Sequence, residues 1–144
     1  MLKRYSLWLW VVIVLQILTA AAHSLSLVVT PQFSNDTERQ LLELMTSYKS
    51  DMGAGFHRSM QQLFTALSAC FPILYVFGAL NNIYLLRKRV DASLMSGFLL
   101  IEVIVFGVTF VVMLALTFLP PIVMSGLVFV LLLISFLLVP RKVS

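Results

Sequence analysis

The sequence predicts an all-α integral membrane protein, a four-transmembrane-helix bundle with one short extracytoplasmic amphipathic helix. Three observations predict it. Sixty per cent of the 144 residues are hydrophobic, 11% are charged and the mean hydropathy is +1.01, whereas a soluble domain is about half apolar and about a quarter charged. Four apolar stretches reach the roughly 20 residues that cross a hydrocarbon core about 30 Å thick. The basic residues sit mostly beyond the ends of those stretches, and mostly on one side of them.

The spans are expected at about 7–29, 60–86, 94–119 and 121–139, within a single domain covering 1–144. Pro120 and Pro121 separate the last two, because each removes a backbone donor and resists helix geometry. The one long connection, 30–59, lies between the first two spans. Lys3, Arg4, Arg87, Lys88, Arg89, Arg141 and Lys142 occupy the N-terminus, the connection between the second and third spans, and the C-terminus. An even number of crossings puts these on one face, and the positive-inside rule makes that face cytoplasmic. Arg39, Lys49 and Arg58 then share the extracytoplasmic loop with Asp36, Glu38, Glu43 and Asp51. The opening segment also has the form of a secretory signal, with small residues at Ala20 and Ala22. The apolar run continues past them through "LSLVV", so a retained first helix is expected.

The loop carries a helical pattern of its own. Asn35 and Glu38 have the spacing of a capping box, and Leu41, Leu42, Met45 and Tyr48 recur at helical spacing. Gly53 and Gly55 end the pattern. A surface helix from about Asp36 to Ser50 is predicted, lying on the outer membrane face as a lid or as a docking surface for a partner. Asn35-Asp36-Thr37 also matches a glycosylation sequon, which has no meaning in a bacterium.

Polar residues within the spans fall into stripes. Gln16, Thr19, His23 and Ser26 form one on the first helix, and His57, Gln61, Thr65, Ser68, Tyr75 and Asn82 form another on the second. Such spacing faces a neighbouring helix. Pro72 frees the carbonyl of Ser68 and offers the stripe an acceptor. Glu102 and Thr109 mark the third helix; the fourth, with Ser125 and Ser135, is the most lipid-like. Counting rise per residue, Glu102 lies about 12 Å and Gln16 about 16 Å from the cytoplasmic ends of their helices. A buried polar cluster of Gln16, Asn81, Asn82 and Glu102 is therefore expected in the inner half. No basic residue stands at that depth, so Glu102 is read as a neutral, hydrogen-donating acid. Its roles divide between interhelical glue and a proton or cation site.

An outer polar site is expected from His23, His57 and Gln61. Interfacial histidines bonded to serine or water account for it; the alternatives are a metal or a haem held by both imidazoles, a pH-responsive site and a quinone headgroup contact. Two histidines without a carboxylate or thiolate make a poor metal site, and no metal or other cofactor is assigned. The lone Cys70 permits no disulfide within the chain. Phosphate-binding, metalloprotease, triad and Cys-x-x-Cys motifs are missing, so no catalytic residue is assigned. "LLRKRVDAS" is too short for nucleic acid and reads as an anchor on anionic lipid.

"AAAHSLSL" near the end of a first span, followed by "MTSYKSDMGAGFHRSMQQLF" leading into a second, resembles a group of small four-span bacterial inner-membrane proteins of unknown function. The resemblance implies the fold and the inner membrane, and no activity. The reading is thus a non-enzymatic accessory or partner-binding membrane protein. Its partners are the bilayer and another membrane protein or further copies of itself. The rivals are a small oligomeric proton-linked transporter using Glu102 and a haem or quinone redox module.

Overall fold

A computed structural model of the protein describes residues 4–29 and 33–140. Its elements, in chain order, are α1 (Arg4–Val28), α2 (Asp36–Ser47), β1 (Lys49–Asp51), β2 (His57–Ser59), α3 (Met60–Lys88), α4 (Ala92–Leu116) and α5 (Leu119–Leu137). Four of the five helices, all but α2, are long and apolar enough to cross a membrane. Lys3, Arg141 and Lys142 lie outside the described residues.

Local chemistry sets the ends of the helices. Asn35 caps α2: its Oδ1 accepts from the Glu38 amide at 2.9 Å, and Glu38 reaches back to accept from the Ser34 amide at 2.7 Å. Ser59 and Gln62 make the same reciprocal box at the start of α3, at 3.3 and 3.0 Å. Asp91 caps α4 by accepting from the amides of Ser93 and Leu94. At the end of α3, Arg89 adopts φ +50°, with its amide on the Leu86 carbonyl and that of Val90 on the Leu85 carbonyl. This is a Schellman stop with arginine in the position that glycine usually fills.

Three boundaries differ from the sequence expectation. α2 ends at Ser47, not Ser50, and Gly53 and Gly55 do not close it. They lie in the turn of a β-hairpin that the helical pattern concealed, at φ +82° and +80°. β1 and β2 pair antiparallel there, and Met52 and Phe56 bond across the turn at 2.8 Å. α4 ends at Leu116, and Pro120 and Pro121 sit inside the first turn of α5. A first turn has no use for its amide hydrogens, so proline is tolerated there. His57 belongs to β2, so the stripe expected on the second span begins one element later.

The described residues cluster into two compact units: 1–19 with 75–144, and 20–74. In the first, Tyr5, Leu9, Val12 and Ile13 of α1, Ala79 and Leu85 of α3, Met95, Leu99 and Phe106 of α4, and Val128 and Leu132 of α5 are buried. The closest helix pairing is between α4 and α5. Phe129 lies over Gly107 and Phe110 lies over Gly126, and the two rings stack with centroids 6.1 Å apart. α5 is thus less lipid-like than its sequence suggests, since Ser125 and Ser135 are both buried. Each hydroxyl donates to a carbonyl of its own helix, Ser125 to Pro121 at 2.7 Å and Ser135 to Leu131 at 2.8 Å. Among the described residues of the second unit, only Ala20, Ser59 and Pro72 are buried.

A Cβ on residue 126 would meet the Phe110 ring at 2.9 Å, whereas one on residue 97 meets nothing within 4 Å. Gly126→Val is therefore expected to cost about 1–3 kcal/mol, the usual penalty of overpacking. Gly97→Ala is expected to be neutral or stabilising by up to about 1 kcal/mol. Thermal melts of the two variants in detergent, followed by circular dichroism, compare them directly.

Candidate functional site

The inner polar residues arrange themselves by side-chain reach. Asn82 on α3 is 0% exposed and Glu102 on α4 is 9% exposed. The Asn82 Nδ2 donates to Glu102 Oε2 at 2.7 Å, which ties the two helices together. Asn82 Oδ1 finds no hydrogen-bond partner among the described residues. The same heavy-atom distance serves a neutral acid donating to the amide oxygen with the carboxamide turned over, because the two ends of the amide differ only in their hydrogens.

Gln16 belongs to a neighbouring layer. It is wholly buried, and neither its Oε1 nor its Nε2 has a partner among the described residues. Its amide lies across the backbone of α3 at Gly78: a Cβ there would stand 2.7 Å from Gln16 Nε2 and 3.2 Å from the Phe106 ring. Tyr75 meets Phe106 edge-on, with centroids 5.2 Å apart. Gly78 and Phe106 each stand four residues from Asn82 and Glu102, which is one turn or roughly 6 Å along a helix. Gln16 thus packs beside the Asn82–Glu102 bond without joining it. An unmet buried amide costs about 1–3 kcal/mol. Asn81, one residue from Asn82, points about 100° away around the helix and lines a surface cleft with Tyr84 and Lys88.

Gly78 was not among the expected site residues. A glycine in an apolar helix signals close approach of some neighbour, but the spacing does not say which one.

The outer residues also separate. His23 Nε2 lies 3.1 Å from the Ser68 carbonyl, so this nitrogen carries the proton and donates. That carbonyl belongs to the residue four before Pro72, which has no amide hydrogen to offer it. The proline thus creates the acceptor, and His23 uses it to join α1 to α3. The imidazole packs against Phe71 with centroids 5.7 Å apart. His57 is exposed on β2, in register with Asp51. Gln61 is half-buried in the first turn of α3, where its carbonyl accepts from Thr65. A ligand taking both imidazoles through Nε2 would have to displace His23 from Ser68. Among the described residues, no group of three or more His, Cys, Asp or Glu could hold a metal ion.

Comparison with protein-family models, curated proteins and solved structures returned no match.

Two variants test these contacts. Glu102→Ala strands the Asn82 amide and is expected to lower stability by about 1 kcal/mol, within the range of interhelical bonds in membranes; Glu102→Gln, which still accepts, should lose less than half of that in the same detergent melt. Pro72→Ala returns an amide to the Ser68 carbonyl, so His23→Ala should cost less in that background. A double-mutant cycle is expected to show coupling of at least about 0.5 kcal/mol.

Proposed function

We propose that the chain is a multi-pass integral membrane protein of the bacterial inner membrane, with both termini cytoplasmic, acting as a non-enzymatic partner-binding component. The four apolar helices support insertion. The position along the sequence of Arg4, Arg87, Lys88 and Arg89, against Arg39, Lys49 and Arg58 in the 30–59 connection, supports the orientation.

One observation carries the partner-binding role. In the unit formed by residues 20–74, Ala21, Ala22 and Ser24 on α1 and Thr65, Ala66 and Cys70 on α3 are all exposed. Lipid gains little from small side chains, whereas a neighbouring helix packs closely on them. The neighbour proposed for these small residues is a transmembrane helix, from a second copy or from another protein.

The transporter reading has one specific support, the unpartnered atoms of Gln16 and Asn82 beside Glu102. Under it, Glu102→Gln abolishes proton-coupled flux in proteoliposomes; unchanged flux sinks it.

A photo-crosslinking residue at position 66, in cells, should yield one discrete protein adduct, while the same residue at Val130, an exposed position on α5, should capture lipid alone. Lipid capture at both positions would end the partner-binding reading. For orientation, in a Cys70→Ala background Arg89→Cys should react with an impermeant maleimide only after the cytoplasmic face is opened, and Lys49→Cys without opening.

A further inference from the structure

A cleft of about 420 Å³ opens where α3 ends and α4 begins. It is lined by Asn81, Tyr84, Leu85 and Lys88 of α3 and by Val90, Leu94 and Phe98 beyond it, with Lys88 the last residue of α3. Apolar walls reaching a cationic rim match a molecule with a hydrocarbon tail and a negative head. Asn81 is half-buried two turns inward of Lys88 and adds a carboxamide able to bond an ester carbonyl oxygen. The Lys88 ammonium stands 5.8 Å from the centre of the exposed Tyr84 ring, held at the rim by cation–π attraction.

The charge around the cleft is lopsided. Arg87, Lys88 and Arg89 are consecutive and all exposed. The nearby acid, Asp91, has an oxygen committed to the amides of Ser93 and Leu94. Arg89 stands next to the cleft without lining it. It holds a left-handed conformation that costs a non-glycine residue about 1 kcal/mol or more, at a helix stop where glycine would be unstrained. A cation there, in place of glycine, fits a requirement for charge.

We propose that this cleft binds one anionic phospholipid, its phosphate at Lys88 and its acyl chain running inward along Leu85, Leu94 and Phe98. The proposal rests on the membrane reading and names a ligand class for its cytoplasmic face. Basic clusters at such boundaries attract anionic headgroups, and a cation in contact with the headgroup contributes about a fivefold gain in affinity.

The test is native mass spectrometry of the full chain in detergent doped with either phosphatidylglycerol or phosphatidylcholine. One phosphatidylglycerol should be retained, at concentrations at least about fivefold lower than phosphatidylcholine requires. Lys88→Ala should reduce its retention about fivefold, whereas Arg87→Ala, outside the cleft, should change it less than twofold. Leu94→Trp, which fills the apolar wall, should abolish it while circular dichroism stays unchanged; if that variant unfolds, Phe98→Ser serves in its place. Equal retention of both lipids, or equal effects of Lys88→Ala and Arg87→Ala, overturns the proposal, as does displacement of the lipid by millimolar inorganic phosphate, which would mark a headgroup site alone. Release of the protein from membranes by alkaline carbonate would instead overturn the membrane reading itself.

Discussion

Hydroxyl and carboxamide side chains meet one constraint in these helices and answer it in two ways. An apolar surrounding supplies no partner, so every donor must find its acceptor within the protein. Threonine and serine are short enough to reach back to the carbonyl one turn earlier. Thr19 bonds Leu15, Thr65 bonds Gln61, Thr109 bonds Val105, and Thr117 bonds Met113, all at 2.7–2.9 Å. Each is complete on its own helix and commits to no neighbour. Asn82, Glu102 and His23 carry their polar atoms further from the backbone, and they bond across to another helix. The cross-helix specificity of the fold rests on this longer set. Gln16 belongs to it by reach but meets the α3 backbone at Gly78 and an aromatic ring, so it fills space there without being satisfied.

Packing follows a parallel division. Gly107 and Gly126 let α4 and α5 approach until a phenylalanine from each covers the glycine of the other. That contact is made by dispersion over ring faces, which needs close fit and no polar atoms. The links from α3 to α1 and α4 pass instead through side chains: the glutamine on Gly78, the tyrosine on Phe106 and the asparagine on Glu102. Glu102 is thereby placed as an acceptor within a tie between helices, a position compatible with glue and also with proton exchange.

Much of the architecture was legible in the sequence because it depends on quantities that accumulate over many residues. Four apolar runs of membrane length are hard to mistake, and the Asn35–Glu38 cap follows from a spacing that closes within one turn. The Pro72 effect was also legible, since a missing amide always leaves the carbonyl four residues earlier without its helical bond. The hairpin at 49–59 was not, because its short strands carry too few residues to outweigh the helical spacing before them, and two glycines serve a turn as well as a helix end.

The stripes mixed two kinds of residue, for a different reason. Periodicity counts a threonine that bonds its own helix and an asparagine that bonds the next one as the same signal. The sequence by itself determined the number of long apolar helices, the Asn35–Glu38 cap of the short one and the presence of a carboxyl group deep within a span. Only the tertiary structure decided that Asn82 and not Asn81 meets Glu102, that Gln16 lies one turn away against Gly78, and that the α5 serines are buried. Those outcomes depend on the rotation of each helix about its axis, which is set by the fit of side chains across the gap and leaves no mark on the spacing of residues within one helix.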